Sequence, residues 1–359
     1  MPIYPITNAT PFTVNGVKPQ EIANILEEFS VVVIENFFSL ETCKKFLIDY
    51  VPKCTDVLKN MRTVKPGQHK DIICHYPTIW DFRKDSRLEA LYAFLYKHFN
   101  GYVEYKQVIP SIDAVNIKAP FVGPYHSDKT PDWAHLDQTN GDHFKCIQGQ
   151  ITLTNTTAGF VCSPKSHKVF MDVMKIMNVS LIDKSNWCVI GGKASPEQEK
   201  CIREKIESVG GSWQCYVPAP AGSVILWFGA TIHSAKVGNF VSKPNGTIEQ
   251  AQQKALEKMQ HWRAVIYVCY RPLMEFNKKE KDIRFSAMKN NQTMNHWSLN
   301  VWNKTRPTTP EMGEYLKNPT SWKYFDKKVI ENVIKSEQYD EQHPDEYIKK
   351  IANIIDLLK

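Results

Sequence analysis

The sequence predicts an all-β core with α additions: a double-stranded β-helix, or jelly roll, flanked by N-terminal, insertion and C-terminal helices. Three observations carry that expectation. After Tyr102 short β-branched and aromatic runs succeed one another, roughly 108 to 118, 146 to 154, 159 to 163, 214 to 218, 223 to 228, 231 to 237 and 263 to 270, bounded by glycine or proline; this is the pattern of a two-sheet jelly roll. Ahead of them, helical periodicity marks 19 to 29, 40 to 50 and 86 to 99. Between them, 169 to 212 and 239 to 262 are too long for turns and carry helical signals of their own.

Each element has a local reason. Ser30 to Phe38 is β-branched and aromatic, hence strand-like. In SRLEALYAFLYKHF, Leu88, Leu91, Leu95 and Phe99 share one side of a helix. Within 169 to 212, Ser195 begins an S-x-x-Q capping box closed by Gln198, with Pro196 at the first helical position. Within 239 to 262 lies the helix IEQAQQKALEKMQHW. Long insertions between barrel strands commonly form lids over the open end, and both are expected there. Beyond Pro307 the chain reads as mostly helical, and Ile348, Ile351, Ile355 and Leu358 offer a face for packing. The expected organisation is one jelly-roll domain over 1–330 with the two insertions, and a helical extension over 331–359 packed on or beside it.

Bulk properties limit the function classes. With 359 residues, 42% hydrophobic and 23% charged, the chain has ample material for a globular core. Its net charge of +7 is spread along the sequence and so permits an acidic partner without indicating one. Nine cysteines, an odd number with no C-x-x-C pair, argue against a disulfide framework; Cys146 and Cys269, in apolar strands, read as buried thiols. MPIYPITNATPF lacks a charged-then-apolar leader and no eighteen apolar residues run together, so the expected setting is cytoplasmic. There is no Gly-rich phosphate loop and no basic patch interleaved with aromatics, which leaves no nucleotide or nucleic-acid signature. The expected substrate is a small molecule whose identity the sequence does not give, and oligomeric state is open.

The chemistry-bearing residues lie in and after WAHLDQ. His135, Asp137 and His233 are two imidazoles and one carboxylate in strand-like surroundings. Ferrous iron in oxygen chemistry takes such a set on one face and keeps positions open for a cosubstrate and dioxygen. Residues two apart on an extended segment project to the same side, so His-x-Asp supplies two ligands from one short stretch. The pair is not unique: His126-Ser127-Asp128 is its main rival, while His69-Lys70-Asp71 and His343-Pro344-Asp345 lie in polar surroundings and read as surface. His233 shares its face with Ala235 and Val237, which leaves room for an ion; a hydrogen-bonded core histidine is the alternative. Gln148, Gln150 and Thr152 alternate with apolar residues, giving a polar face that either lines the barrel or meets water. Asn116 and Lys118 share a face of the strand before the metal pair, and Trp227 reads as a core anchor.

The residues downstream of HLDQ discriminate among the pairs. The strand CIQGQITLT, then AGF, SHK and later GSVILW with a distal histidine resemble the phytanoyl-CoA dioxygenase-like family of Fe(II)/2-oxoglutarate-dependent oxygenases. The resemblance covers about 110 to 330 well and EIANILEEFSVVVIENFFS more loosely. It implies Fe(II) held by His135, Asp137 and His233, with 2-oxoglutarate as cosubstrate and dioxygen as oxidant. Arg263 opens a strand that is otherwise apolar; a guanidinium there needs an anion, and the distal carboxylate of 2-oxoglutarate would accept its two parallel hydrogen bonds. A structural salt bridge is the competing reading. Thirty positions separate Arg263 from His233, more than is usual in the family, so 239–262 must loop out. Lys118, in a segment similar to the family's K-P-P-G, and Gln148, at its Q-G position, are further cosubstrate candidates with Asn116. SHK stands here with Lys165 where glycine is usual, and His167 reads as structural. His296 and Trp297 resemble an element after the barrel in some relatives and receive no chemistry. Because Asp137 fills the position that halogenating relatives leave open, the implied reaction is hydroxylation. Two other functions stay in view: a non-catalytic jelly-roll protein, and an iron-dependent cupin-type enzyme that does not use 2-oxoglutarate.

Overall fold

The computed structural model of the chain describes residues 10–59, 68–69, 74–101, 108–120, 133–139, 146–156, 159–180, 186–236, 246–289, 292–299 and 301. Two β-sheets face each other. The larger contains β1 (Thr13–Asn15), β2 (Val31–Glu35), β3 (Gln68–His69), β4 (Val108–Pro110), β5 (Val115–Lys118), β7 (Ile147–Thr152), β11 (Val224–Phe228) and β13 (Arg263–Pro272), in the order β1-β2-β11-β7-β13-β5-β3 with β4 also on β13. The smaller contains β6 (His135–Leu136), β8 (Gly159–Cys162), β9 (Cys188–Val189), β10 (Cys215–Val217) and β12 (His233–Lys236), in the order β10-β8-β12-β6-β9. From β5 to β13 the chain passes back and forth between the sheets, and the inner order β11-β7-β13-β5 against β10-β8-β12-β6 is that of an eight-stranded jelly roll.

The class nonetheless differs from the all-β expectation. Helices α1 (Pro19–Phe29), α2 (Leu40–Lys59), α3 (Pro77–Arg83), α4 (Ser86–Asn100), α5 (Phe170–Ile176), α6 (Pro196–Ser208), α7 (Ile248–Glu257) and α8 (Lys278–Lys289) contain more of the described residues than the strands do, so the protein is mixed α and β. The reason lies in the outer faces of both sheets. On the larger sheet Val32, Leu226, Ile151 and Ile266 point outward and pack with Leu26, Leu47, Tyr92 and Leu95 of α1, α2 and α4. Each such residue is worth roughly 2 kcal/mol when fully buried, so the helices are part of the fold and not ornaments on it.

Local signals set the helix limits. Pro19 opens α1, and Ser30 closes it in the left-handed region, its N–H donating to the Leu26 carbonyl. Asp85 caps α4 by accepting from the Arg87 N–H, and Gly101 ends it. The expected capping box of Ser195 and Gln198 is present on α6.

Among the described residues the helices of the insertions pack on outer faces, while Trp187 of the first insertion reaches the opening beside His135. Helices α5 and α6 cover the outer face of the smaller sheet, where Phe170, Val173, Ile202 and Ile206 bury Leu136 and Ile232. Helix α7 lies against α2, and Leu256, Met259 and Trp262 join the core of the larger sheet. An apolar outer sheet surface claims an amphipathic helix before a wet opening can. The proposed extension 331–359 lies outside the described residues, as do His126, Asp128, His343 and Asp345. All eight cysteines whose side chains are described are free thiols, Cys146 and Cys269 buried with their sulfurs 4.0 Å apart. No helix among the described residues is long and apolar enough to cross a membrane.

Candidate metal centre

Strand register brings the predicted residues together. His233 of β12 is the cross-strand partner of His135 of β6, and antiparallel partners point to the same face. Asp137 comes two residues after His135, and its backbone N–H donates to the Gly229 carbonyl at 3.0 Å. One ligand atom from each of His135, Asp137 and His233 lies within 4.8 Å of the others, and all three residues are buried. Asp137 Oδ2 is 3.2 Å from His233 Nε2 and 3.7 Å from His135 Nε2.

Both imidazoles are fixed by their other nitrogen. Nδ1 of His135 donates to the Trp133 carbonyl and Nδ1 of His233 to the Thr231 carbonyl, each at 2.9 Å. A carbonyl can only accept, so the proton sits on Nδ1 and the Nε2 lone pair faces the centre. Trp133 stacks on the His135 ring at 4.6 Å and 17°, and Trp187 approaches it edge-on at 6.3 Å. These two indoles are 44% and 54% exposed, so His135 lies just beneath the surface at the mouth of the site.

The electrostatics keep the Asp137 carboxylate ionised. Burial pushes the Asp137 carboxyl up, but the imidazoles of His135, His233 and His296 around it outweigh burial and hold it well below the usual range. Burial and the neighbouring His135 lower His233, with Asp137 opposing. A neutral imidazole beside an ionised carboxylate is the state a divalent ion requires.

The inner face of the larger sheet is polar. Gln148, Gln150 and Thr152 line it, buried between the sheets and not in water. Gln148 Nε2 donates to Asp137 Oδ2 at 3.0 Å. Further along, Arg263 is paired in register with Lys118, and Val265 with Asn116 and Thr152. Arg263 is only 4% exposed, and no carboxylate pairs with it among the described residues, which removes the structural salt bridge as its explanation there. Its Nη1, Asn116 Oδ1, Thr152 Oγ1 and Gln148 Oε1 are buried without a hydrogen-bond partner. Such atoms are expensive to leave unmet, and their gathering on one face fits a polar, anionic ligand. Burial, then the charge of Arg263, brings Lys118 down to about 8. Trp227 is a core anchor, its ring 4.5 Å from Phe160 and 5.4 Å from His233.

The family-like turn survives without its glycine. Lys165 takes φ +66°, and its ammonium meets Glu28 at 2.5 Å while its N–H donates to Phe29. His167 contacts the Glu27 carbonyl and lies away from the centre. His69 sits in β3 at the far edge of the larger sheet.

Three further residues, Tyr267, His296 and Trp297, border the site. Tyr267, on the inner face of β13, lies against Arg263 and Asn116 and has its ring 6.2 Å from that of His296; the period of two from Arg263 could have found it. His296, joined through Nδ1 to Asp113, has Nε2 3.6 Å from Asp137 Oδ2. Burial opposes charge on His296, but Asp113, with help from Asp137, raises it to about 9. Trp297 Nε1 donates to the Asp137 carbonyl at 2.7 Å. Nothing local in the sequence connects His296 and Trp297 to Asp137.

No family model matches the sequence, and no curated protein matches it significantly. Solved structures do. GIG2 (DUF1479), from GlcNAc Inducible Gene 2 of Candida albicans, is 12% identical with a TM-score of 0.51, covering 98% of this chain and 88% of that one. EctD from S. alaskensis, solved with bound Fe, is 13% identical with a TM-score of 0.47 over 76% and 84%. The epimerase SnoN, in complex with Fe3+, alpha ketoglutarate and nogalamycin RO, is 12% identical with a TM-score of 0.43 over 82% and 96%. At these identities the likeness concerns fold, and GIG2 carries it. The comparison therefore supports the two-sheet fold, and the convergence of His135, Asp137 and His233 is this chain's own geometry.

Proposed function

We propose that the protein is an Fe(II)- and 2-oxoglutarate-dependent dioxygenase that hydroxylates a small molecule. The observation that carries this is the convergence of His135, Asp137 and His233 within 4.8 Å, with both histidines locked in the metal-binding tautomer. These three residues would hold Fe(II) on one side and leave the other open. Arg263 would grip the distal carboxylate of 2-oxoglutarate, with Lys118 adding positive charge and Asn116 and Thr152 meeting its polar edge. Gln148 steadies Asp137 and turns its free carbonyl oxygen inward.

When bound, iron and 2-oxoglutarate supply the oxidising power: dioxygen and 2-oxoglutarate yield succinate, carbon dioxide and one oxygen atom for insertion into a C–H bond. The chain contributes orientation and a water-poor pocket. The sandwich of the two sheets excludes solvent from the inner face, and Trp133 shields the imidazole of His135. Asp137 occupies the third protein position, which favours hydroxylation over halide transfer.

The test is succinate formation from 2-oxoglutarate in air with and without Fe(II), with His135→Ala as control. Iron-dependent succinate lost in the variant supports the reading. Iron uptake without 2-oxoglutarate binding would replace it with a cupin-type iron enzyme, and a folded protein that takes up no metal would make it a non-catalytic scaffold.

A further inference from the structure

We propose that His296, which lies beyond the last strand of the jelly roll, belongs to the metal centre as a positioning residue that, held by Asp113, fixes the carboxylate of Asp137. This rests on the reading of His135, Asp137 and His233 as metal ligands.

The carboxylate is the ligand that needs holding. The rings of His135 and His233 are oriented by backbone carbonyls of their own strands, whereas Asp137 lies just past the two-residue β6. Its side chain has Gln148 on one side. On another, His296 Nε2 stands 3.6 Å from Oδ2, the same oxygen that faces His233. That separation is a close polar contact, longer than a hydrogen bond. The opposite nitrogen of the ring is hydrogen-bonded to Asp113 Oδ2. Asp113 is itself immobile: it is buried, its Oδ1 accepts from the Ala114 N–H at 2.6 Å, and its carbonyl accepts from Arg83.

The next residue holds the backbone. Trp297 donates from Nε1 to the carbonyl of Asp137 at 2.7 Å, so side chain and main chain of one ligand are addressed by two consecutive residues. The segment carrying them is tied down independently of the site. Met294 N–H donates to Ile112, Arg271 to the Trp297 carbonyl, and Arg284 to Ser298 Oγ. Groups that hold a ligating side chain from behind help fix metal geometry, and their loss typically costs about 10- to 100-fold in metal affinity.

The experiment uses Co(II), whose ligand-field absorption reports on the centre without turnover, with the full chain as wild type, His296→Ala, His296→Gln and Asp113→Asn. The expected result is Co(II) binding weakened about tenfold or more in His296→Ala, with altered ligand-field bands in a metal-free protein that still melts cooperatively. His296→Gln, which keeps a donor and guards against misfolding of the alanine variant, recovers part of the affinity. Asp113→Asn weakens binding in the same direction. Wild-type affinity and an unchanged spectrum in a folded His296 variant would overturn the proposal alone. No Co(II) uptake by the wild type would overturn the metal-centre reading beneath it.

Discussion

His135 and His233 form one cross-strand pair between β6 and β12, with ring centroids 4.3 Å apart. Because successive side chains alternate faces, a slip of one residue in either strand would send an imidazole to the outer surface. The site is therefore as well defined as the register of the smaller sheet. That register is supported by β8, which pairs with four residues of β12.

Gln148→Leu should weaken Fe(II) or Co(II) binding about 10- to 100-fold, because the amide that orients Asp137 is lost while the ligands remain. Metal titration monitored by absorption checks this. Unaltered affinity would mean that the 3.0 Å contact to Oδ2 contributes nothing to the centre.

Arg263→Ala should weaken 2-oxoglutarate binding by about 2 kcal/mol or more, at least about thirtyfold, as expected when one partner of a buried charge pair is removed. Arg263→Lys should recover only part, since an ammonium cannot make two parallel hydrogen bonds. Metal affinity without the cosubstrate should not change. Anaerobic titration of the Fe(II) protein with 2-oxoglutarate separates these outcomes, and an unaffected Arg263→Ala would remove Arg263 from the cosubstrate site.

Lys118 gives a pH dependence in the alkaline range. Burial, then Arg263, lowers it from 10.5 to about 8 in the folded protein. Between those values the unfolded chain binds a proton that the folded one does not, so stability rises with pH over this window. Below about pH 8 the cost of the buried charge is fully present. Lys118→Met should melt higher than wild type near neutral pH, with the gap closing as pH rises through that window. A gap independent of pH would assign the effect to packing.

His75 acts at the acid end. Burial, aided by Arg83 and Arg284 and opposed by the Gln292 carbonyl, lowers it from 6.5 to about 3. In that window the unfolded chain again takes up the extra proton, so stability is lost as pH falls below 6.5. Denaturation midpoints measured from neutral pH down through this window should fall less steeply in His75→Gln than in wild type. Parallel curves would show that other groups set the acid limit.

Gly222→Ala should destabilise the fold by about 1–3 kcal/mol from backbone strain alone. Gly222 has φ +85°, and a Cβ there would run into the Phe38 carbonyl oxygen. The close approach is structural, because the Phe38 N–H donates to the Gly222 carbonyl and ties the end of β2 to the start of β11. Thermal melting should show a drop of several degrees, and no drop would mean that the turn relaxes freely.

The sequence by itself determined the periodic elements and the residue types of the candidate metal site. The apolar spacing of α4, the capping box of α6 and the alternation of Gln148, Gln150 and Thr152 are local patterns, and each recurs in the fold because one face of each element must be buried. His135, Asp137 and His233 were legible because residue type and neighbouring motif coincide. Only the tertiary structure decided that α5 and α6 clothe the smaller sheet instead of capping its opening, that the polar face of β7 turns inward, and that Trp297 reaches Asp137 across 160 positions. Those outcomes depend on which surfaces compete for burial and on contacts between residues remote in the chain, and a linear pattern carries neither.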